Sequence, residues 1–276
     1  MSKKVEQLAL CKTSWSDYGD YLARKLHGVE TGIRVLDRAL LGLSGLVVVQ
    51  GAPKCHKSTL VLQAAIHQAT LGNPALIFDR ENGRQRSRTR LLCVVNHCST
   101  IDILAGDTEQ RREYIKAAYK LPIYHTGMIE SYEELRGWIL ELLAQYPNKR
   151  PFVVVDSLQK LPRIGTDERI SMQNWMILFD TAKQEFEGQV TIICTSEKSR
   201  GEGGKNYEQA SLSAAKGAGG VEYTAEQVLD MRKDRATGGV IVEVVANRDG
   251  QEGSQTILKK VLADSADEAS FCFRLE

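Results

Sequence analysis

The stretch 46-LVVVQGAPKCHKSTL-60 constrains this chain more than any other. An apolar, β-branched run enters Gly51, and Lys57 and Ser58 stand where the pattern G-x-x-x-x-G-K-[ST] requires them. That pattern, between a strand and a helix, is a phosphate-binding loop. It demands an α/β layout, because a buried strand needs neighbours and the following helix needs a sheet to pack on. Backbone N–H groups of residues 52–58, with the helix N-terminus, form an anion cradle. The expected nucleotide-binding residues are therefore Gly51, Ala52, Pro53, Lys54, Cys55, His56, Lys57, Ser58 and Thr59. Lys57 aims a positive charge at the β- and γ-phosphates, and the Ser58 hydroxyl is a ligand for Mg²⁺. His56 departs from the pattern, standing where glycine is usual. A histidine at positive φ costs about 1 kcal/mol, little against the remaining phosphate contacts. Its imidazole either turns out of the cradle or adds a donor to it.

Strand-like runs recur at Gly45–Gln50, Ala75–Phe78, Pro122–His125, Phe152–Val155, Val190–Thr195, Gln227–Met231, Val240–Ala246 and Thr256–Val261. Between the early runs lie helix-like stretches at Ser58–Leu71, Gln85–Val95, Glu109–Ala118, Ser131–Tyr146 and Arg169–Phe186. Strands alternating with helices of this length predict βαβ units and a mainly parallel sheet. The early strands are nearly all apolar, as strands covered on both faces are. The last three follow one another without helices and are expected as antiparallel additions to the sheet edge, with turns at Thr237-Gly238-Gly239 and Asp249-Gly250. The predicted organisation is a short helical arm over residues 1–27 and one α/β domain over 28–276. The glycine-rich stretch 199–220 is expected to be a mobile loop.

With Lys+Arg 36 and Asp+Glu 35, the formal net charge is +1, so nucleic-acid binding needs a local patch. The six cysteines are scattered without paired metal spacing, and Cys93, His97 and Cys98 lack a second cluster to complete four ligands. They are expected as reduced thiols of a cytoplasmic protein. No signal-peptide core and no apolar run of membrane-spanning length occurs, so no membrane partner is expected.

Two further stretches carry carboxylates to strand ends. In 152-FVVVDSLQKL-161, Asp156 follows an apolar strand and is the expected acidic partner of Mg²⁺. In 76-LIFDRENG-83, Asp79 and Glu81 are both candidates for the base that orients the attacking water, and hydrophobic periodicity does not choose between them. The run 84-RQRSRTR-90 places Arg84, Arg86, Arg88 and Arg90 at the start of a helix, where they cannot share one face. A solvated or intersubunit face is the plainer reading and DNA contact the sharper one.

Taken in order, TGIRVLDRALLGL, the phosphate loop, LIFDRENG, VVVDSLQ, IICTSEKSR and VANRDGQEG resemble the C-terminal ATPase domain of DnaB-type replicative helicases, in the RecA-like superfamily, over roughly residues 28–262. RadA-like and phage recombinase relatives share much of the set. The resemblance implies a RecA-like P-loop fold, ATP and Mg²⁺ as cofactors, and a homo-oligomer, a hexameric ring or a filament, acting on single-stranded DNA in replication or recombination. It implies Glu81 as catalytic glutamate, Glu197 at the position of a γ-phosphate sensor that is usually glutamine, and Arg248 as an arginine finger reaching the neighbouring subunit's site. It also implies a strand-binding loop carrying Lys216, Gly217, Gly219 and Gly220. The family's lysine two residues before the finger is Ala246 here. His56, Glu197 and Ala246 all touch the phosphates, and together they bear on turnover more than on fold. The arm over residues 1–27 matches a helix that packs on the adjacent subunit, and a primase-interacting N-terminal domain does not fit in this length. That favours a phage-like or accessory ATPase. Two readings follow. One is an ATP-driven single-strand motor or recombinase. The other is a nucleotide-stabilised oligomer that binds DNA or protein and barely turns over. A weaker third is a regulatory ATPase without nucleic acid.

Overall fold

The apolar runs condense into a sheet because each can be covered on both faces. The computed structural model describes Gly19 and residues 28–127, 129–186, 188–198, 224–263 and 270–276. The predicted arm and the stretch 199–220 lie outside the described residues, apart from Gly19. In chain order the elements begin with helix α1 (Arg34–Leu40), strand β1 (Leu46–Gly51), α2 (Lys57–Thr70), β2 (Ala75–Asp79), α3 (Gly83–Asn96), α4 (Thr100–Ala105) and α5 (Thr108–Tyr119). There follow β3 (Ile123–Thr126), α6 (Tyr132–Gln145), β4 (Phe152–Asp156), a short 3-10 turn (Leu158–Lys160), α7 (Glu168–Glu185) and β5 (Thr191–Glu197). The last strands are β6 (Gln227–Lys233), β7 (Val240–Asn247), β8 (Gln255–Leu258), β9 (Lys260–Ala263) and β10 (Ser270–Leu275).

The main sheet runs β3-β2-β4-β5-β1-β6-β7-β8, and β2 through β6 all run parallel to β1. Side chains alternate across it and build two cores. Val47, Val49, Ile77, Val154 and Ile193 face α2 and pack on Leu60, Ala64 and Ala65. Leu46, Val48, Phe78, Val153 and Val155 face the other way, onto Leu135 and Ile139 of α6 and Trp175, Met176 and Phe179 of α7. The fold is the RecA-like layered α/β arrangement expected from the sequence, with antiparallel strands at the C-terminal edge.

Three details differ from expectation. First, β6 is not an antiparallel addition: it lies parallel to β1, and only β7 and β8 are antiparallel. Residues 198–226 are long enough for a crossover, whereas a hairpin would need a tight turn. Second, the strand expected at Thr256–Val261 divides at Lys259. Its first half extends the main sheet as β8, while β9 pairs with β10. Lys259 and Glu276 exchange both backbone hydrogen bonds, at 2.8 and 3.0 Å. The buried Gln63 of α2 both donates to and accepts from the Leu275 backbone, which holds β10 over that helix. Third, α1 and α4 escaped the periodicity reading because each is too short to show a period. Their local signals are hydrogen bonds: Thr31 to Asp37 before α1, and a reciprocal capping box between Ser99 and Asp102 at α4.

Candidate functional site

Parallel strands bring their C-terminal ends together, and ligands of such sheets bind there. β1 ends at Gly51, β2 at Asp79, β4 at Asp156 and β5 at Glu197, side by side in register: Gly51 opposite Glu197, Asp79 opposite Asp156. Gly51 has to be glycine, because a Cβ there would lie 2.3 Å from the Met231 carbonyl oxygen and 2.7 Å from Cys55 Sγ. The loop then turns through two left-handed residues, Lys54 (φ 61) and His56 (φ 70), before α2 starts at Lys57. The histidine thus takes the positive φ expected of it. α2 has no side-chain cap and no acidic residue in its first turn. A helix N-terminus without a side-chain cap or an acidic first turn suits an anion.

Lys57 Nζ donates to the carbonyls of Gly51 and Ala52, each at 3.0 Å. Pro53 and Lys54 are exposed, Ala52, His56 and Ser58 half-buried, and Cys55 buried. Burial pushes the Cys55 thiol above its ordinary pKa. Burial also pushes the His56 imidazole down to about 4, aided by Lys260, Lys233 and Arg90. His56 is therefore neutral at physiological pH, beside a cationic rim formed by Lys260, Lys233 and Arg90.

Asp156 is buried and its carboxyl is pushed up to about 6, chiefly by desolvation, with Asp79 and Glu81 adding repulsion and bonds from Ser58 and Thr195 opposing it. Thr195 Oγ1 donates to Asp156 Oδ1 at 2.5 Å. A hydroxyl of the phosphate loop and a desolvated, repelled carboxylate side by side are a donor set that suits a hard divalent cation. Ser58 and Asp156 therefore fit Mg²⁺.

The two carboxylates of 76-LIFDRENG-83 have different surroundings. Asp79 is buried and accepts hydrogen bonds from the Asn82 backbone at 2.9 Å, the Asn82 amide and the Ser87 hydroxyl. It holds the turn into α3. Glu81 is exposed on that turn, close enough to Asp156 to raise its pKa. The turn is also tied down by Arg80, whose N–H donates to the Asp156 carbonyl at 3.3 Å.

Sequence reasoning missed Arg90, which it grouped with a surface run. Arg84, Arg86 and Arg88 are exposed on α3, but Arg90 is half-buried and turns toward the acidic cluster. Burial lowers its pKa, while Asp79 and Asp156 oppose that. The signal was present in the two-residue spacing, which carries each successive arginine to a different part of the helix surface. Only the fold says which of the four faces inward.

Arg248 does not join this cluster. Asn247 pairs with Gln227, which pairs with Val47, whereas Gly51 pairs with Met231. Arg248, one residue beyond Asn247, is therefore roughly 16 Å down the sheet from Gly51 of its own phosphate loop, five residues at strand rise. It is exposed, with its N–H donating to the Glu226 carbonyl at 2.9 Å. Lys216, Gly217, Gly219 and Gly220 lie outside the described residues. Among the described residues no helix is long and apolar enough to cross a membrane.

A phosphate loop on the central strand of a parallel sheet, with acidic residues on the neighbouring strand ends, defines a P-loop nucleotide-binding ATPase fold. The particular family follows from the sequence: the profile of the DnaB-like helicase C terminal domain matches residues 28–273. The chain belongs to that family. Solved structures agree at the level of the fold. A solved ATPase domain superposes with a TM-score of 0.77 at 17% identity, covering 99% of this chain and 99% of that one. A DnaB-like replicative helicase, solved in a study of its interactions with primase, gives 0.77 at 17% identity, covering 95% of this chain and 65% of that one. A search of curated protein sequences returned no match.

Proposed function

We propose that this protein is an ATP-hydrolysing motor domain that acts on single-stranded DNA as a homo-oligomeric ring, hexameric in the manner of its family. The observation that carries the reading is the convergence of Lys57, Ser58, Asp156 and Glu81 on an uncapped helix N-terminus, while Arg248 stands at the far end of the sheet. A site with its base and cation ligands in place, and its arginine out of reach, is one that a neighbouring copy completes. Solved neighbours include a DnaB-like replicative helicase studied with primase, which agrees with a replication role.

In this reading the phosphates of ATP displace the Gly51 and Ala52 carbonyls from Lys57 Nζ, and the α2 N–H groups take the remaining oxygens. Ser58 and Asp156 would hold Mg²⁺, which would supply positive charge against the phosphates. Glu81 orients the attacking water and accepts its proton. Arg90 from the same chain and Arg248 from the next subunit stabilise charge on the γ-phosphoryl group. Glu197, in the sensor position, lies in register with Gly51 and faces the phosphate side of the sheet. Lys216, Gly217 and Gly219 carry the DNA contact.

Steady-state ATP hydrolysis with and without single-stranded DNA tests this. Wild type is expected to be DNA-stimulated, and Glu81→Gln to lose about 10²–10⁴-fold in kcat, the usual contribution of a positioned base. A wild type without turnover rejects the motor. It leaves the second reading, a nucleotide-stabilised binding oligomer, which the left-handed His56 in the cradle and the carboxylate of Glu197 favour.

A further inference from the structure

Below the phosphate loop lies a charged cluster that phosphate chemistry does not use. Lys198 Nζ and Asp230 Oδ2 are 2.7 Å apart, and both side chains are 0% exposed. Gln50 Nε2 donates to the same Asp230 oxygen at 3.0 Å. The three residues come from three adjacent strands: Gln50 is the next-to-last residue of β1, Asp230 lies opposite it in the middle of β6, and Lys198 directly follows β5. By alternation Gln50 and Asp230 face the α7 side of the sheet, opposite α2. Burying two charges does little for stability, and well-packed apolar residues of similar size commonly do as well or better. The pair's placement suits precision better than strength. The Lys198 N–H donates to the Gly51 carbonyl at 3.2 Å, and Lys57 Nζ donates to that same oxygen at 3.0 Å.

We propose that Lys198 and Asp230 are positioning residues for nucleotide binding. Their ion pair anchors the Glu197–Lys198 peptide so that its N–H keeps the Gly51 carbonyl satisfied when Lys57 leaves for the phosphates. Without the anchor, Lys57 is the main remaining donor to that buried oxygen and its transfer to the ligand becomes costly. The inference rests on the nucleotide-binding part of the reading above, but not on hydrolysis.

The test compares wild type, Lys198→Met, Asp230→Leu, the double variant and the near-isosteric Asp230→Asn, measuring thermal midpoint and affinity for a fluorescent ADP analogue. Each single apolar variant strands a buried charge and is expected to lower the midpoint. The double variant removes both charges and restores it. Its affinity is nevertheless expected to stay about tenfold below wild type, the worth of one hydrogen bond near 1.4 kcal/mol. Asp230→Asn, which keeps the shape and the Gln50 contact, is expected to lose affinity similarly, and it decides the matter if the double variant does not fold. Wild-type affinity in a folded double variant or in Asp230→Asn means that the pair only fills space, and overturns the proposal. A wild type that does not bind the analogue overturns both this inference and the nucleotide site itself.

Discussion

Asp156 ends β4 and His56 lies in the phosphate loop, and their protonation should move stability in opposite directions. Asp156 has a folded pKa near 6, above its ordinary 3.8. The native state therefore holds a proton that the unfolded chain has lost, and this stabilising term disappears as pH rises through about 6. Asp156→Asn should raise the melting temperature of the nucleotide-free protein at pH near 7.5, by up to about 3 kcal/mol in stability for a two-unit shift. The gain should vanish near pH 4, and the variant should lose Mg²⁺-dependent stabilisation by nucleotide. Melts across pH with and without Mg²⁺ check this; a variant that Mg²⁺–nucleotide still stabilises like wild type removes Asp156 from the cation site. His56 behaves in the reverse sense. Its pKa falls from 6.5 to about 4, so its contribution is present above 6.5 and is lost as pH falls toward 4. His56→Gly also relieves a left-handed φ of 70. It should stabilise the fold by about 0.5–1 kcal/mol at neutral pH, and by more near pH 5.

At the scale of elements, α7 is the helix on which the face opposite α2 depends. Asp167 caps it by accepting from the Ile170 N–H at 2.9 Å, and Trp175 and Phe179 are almost completely buried beneath it. Phe179→Ala should cost about 3–5 kcal/mol through the cavity it leaves, and Asp167→Ala about 1 kcal/mol through loss of the cap. Urea titrations read both. Neither residue touches the phosphate loop, so nucleotide affinity should hold in the folded fraction of each. A loss of affinity in Asp167→Ala would tie α7 to the site in a way that the geometry does not suggest.

At the scale of the whole molecule, the separation of Arg248 from Glu81 makes subunit exchange informative. If the finger works in trans, Glu81→Gln and Arg248→Ala are each inactive alone. Mixed oligomers then contain interfaces where an intact Glu81 meets an intact Arg248. Random equimolar mixing gives each such pairing one half times one half of the time, so turnover should recover to about a quarter of wild type, against the orders of magnitude that loss of an arginine finger costs. Absence of any recovery, with mixing verified by native mass spectrometry, would place Arg248 outside the catalytic interface.

Local pattern by itself determined the layered α/β fold, the phosphate loop at Gly51–Ser58 and the strand-end carboxylate Asp156. Each of these rests on residues adjacent in sequence: an apolar run, a turn, a helix start. The same locality explains the near agreement of the early strands and helices with the observed elements. Long-range pairing was not legible. Whether β6 runs parallel to β1 depends on pairing between strands far apart in sequence, and the break at Lys259 depends on a partner, Glu276, at the other end of the tail. Periodicity did not choose between Asp79 and Glu81, and the family resemblance alone pointed to Glu81; what the tertiary structure adds is that their surroundings differ. Asp79 is enclosed by Asn82 and Ser87, whereas Glu81 stays exposed near Asp156. Arg90 separates from the three arginines before it only because α3 packs with one side toward the sheet. The Lys198–Asp230 pair is invisible in one dimension, since neither residue has meaning until β5, β1 and β6 stand side by side. Sequence specifies which groups are present and how short stretches fold, while the crossovers of a parallel sheet decide which distant groups share a low-dielectric pocket.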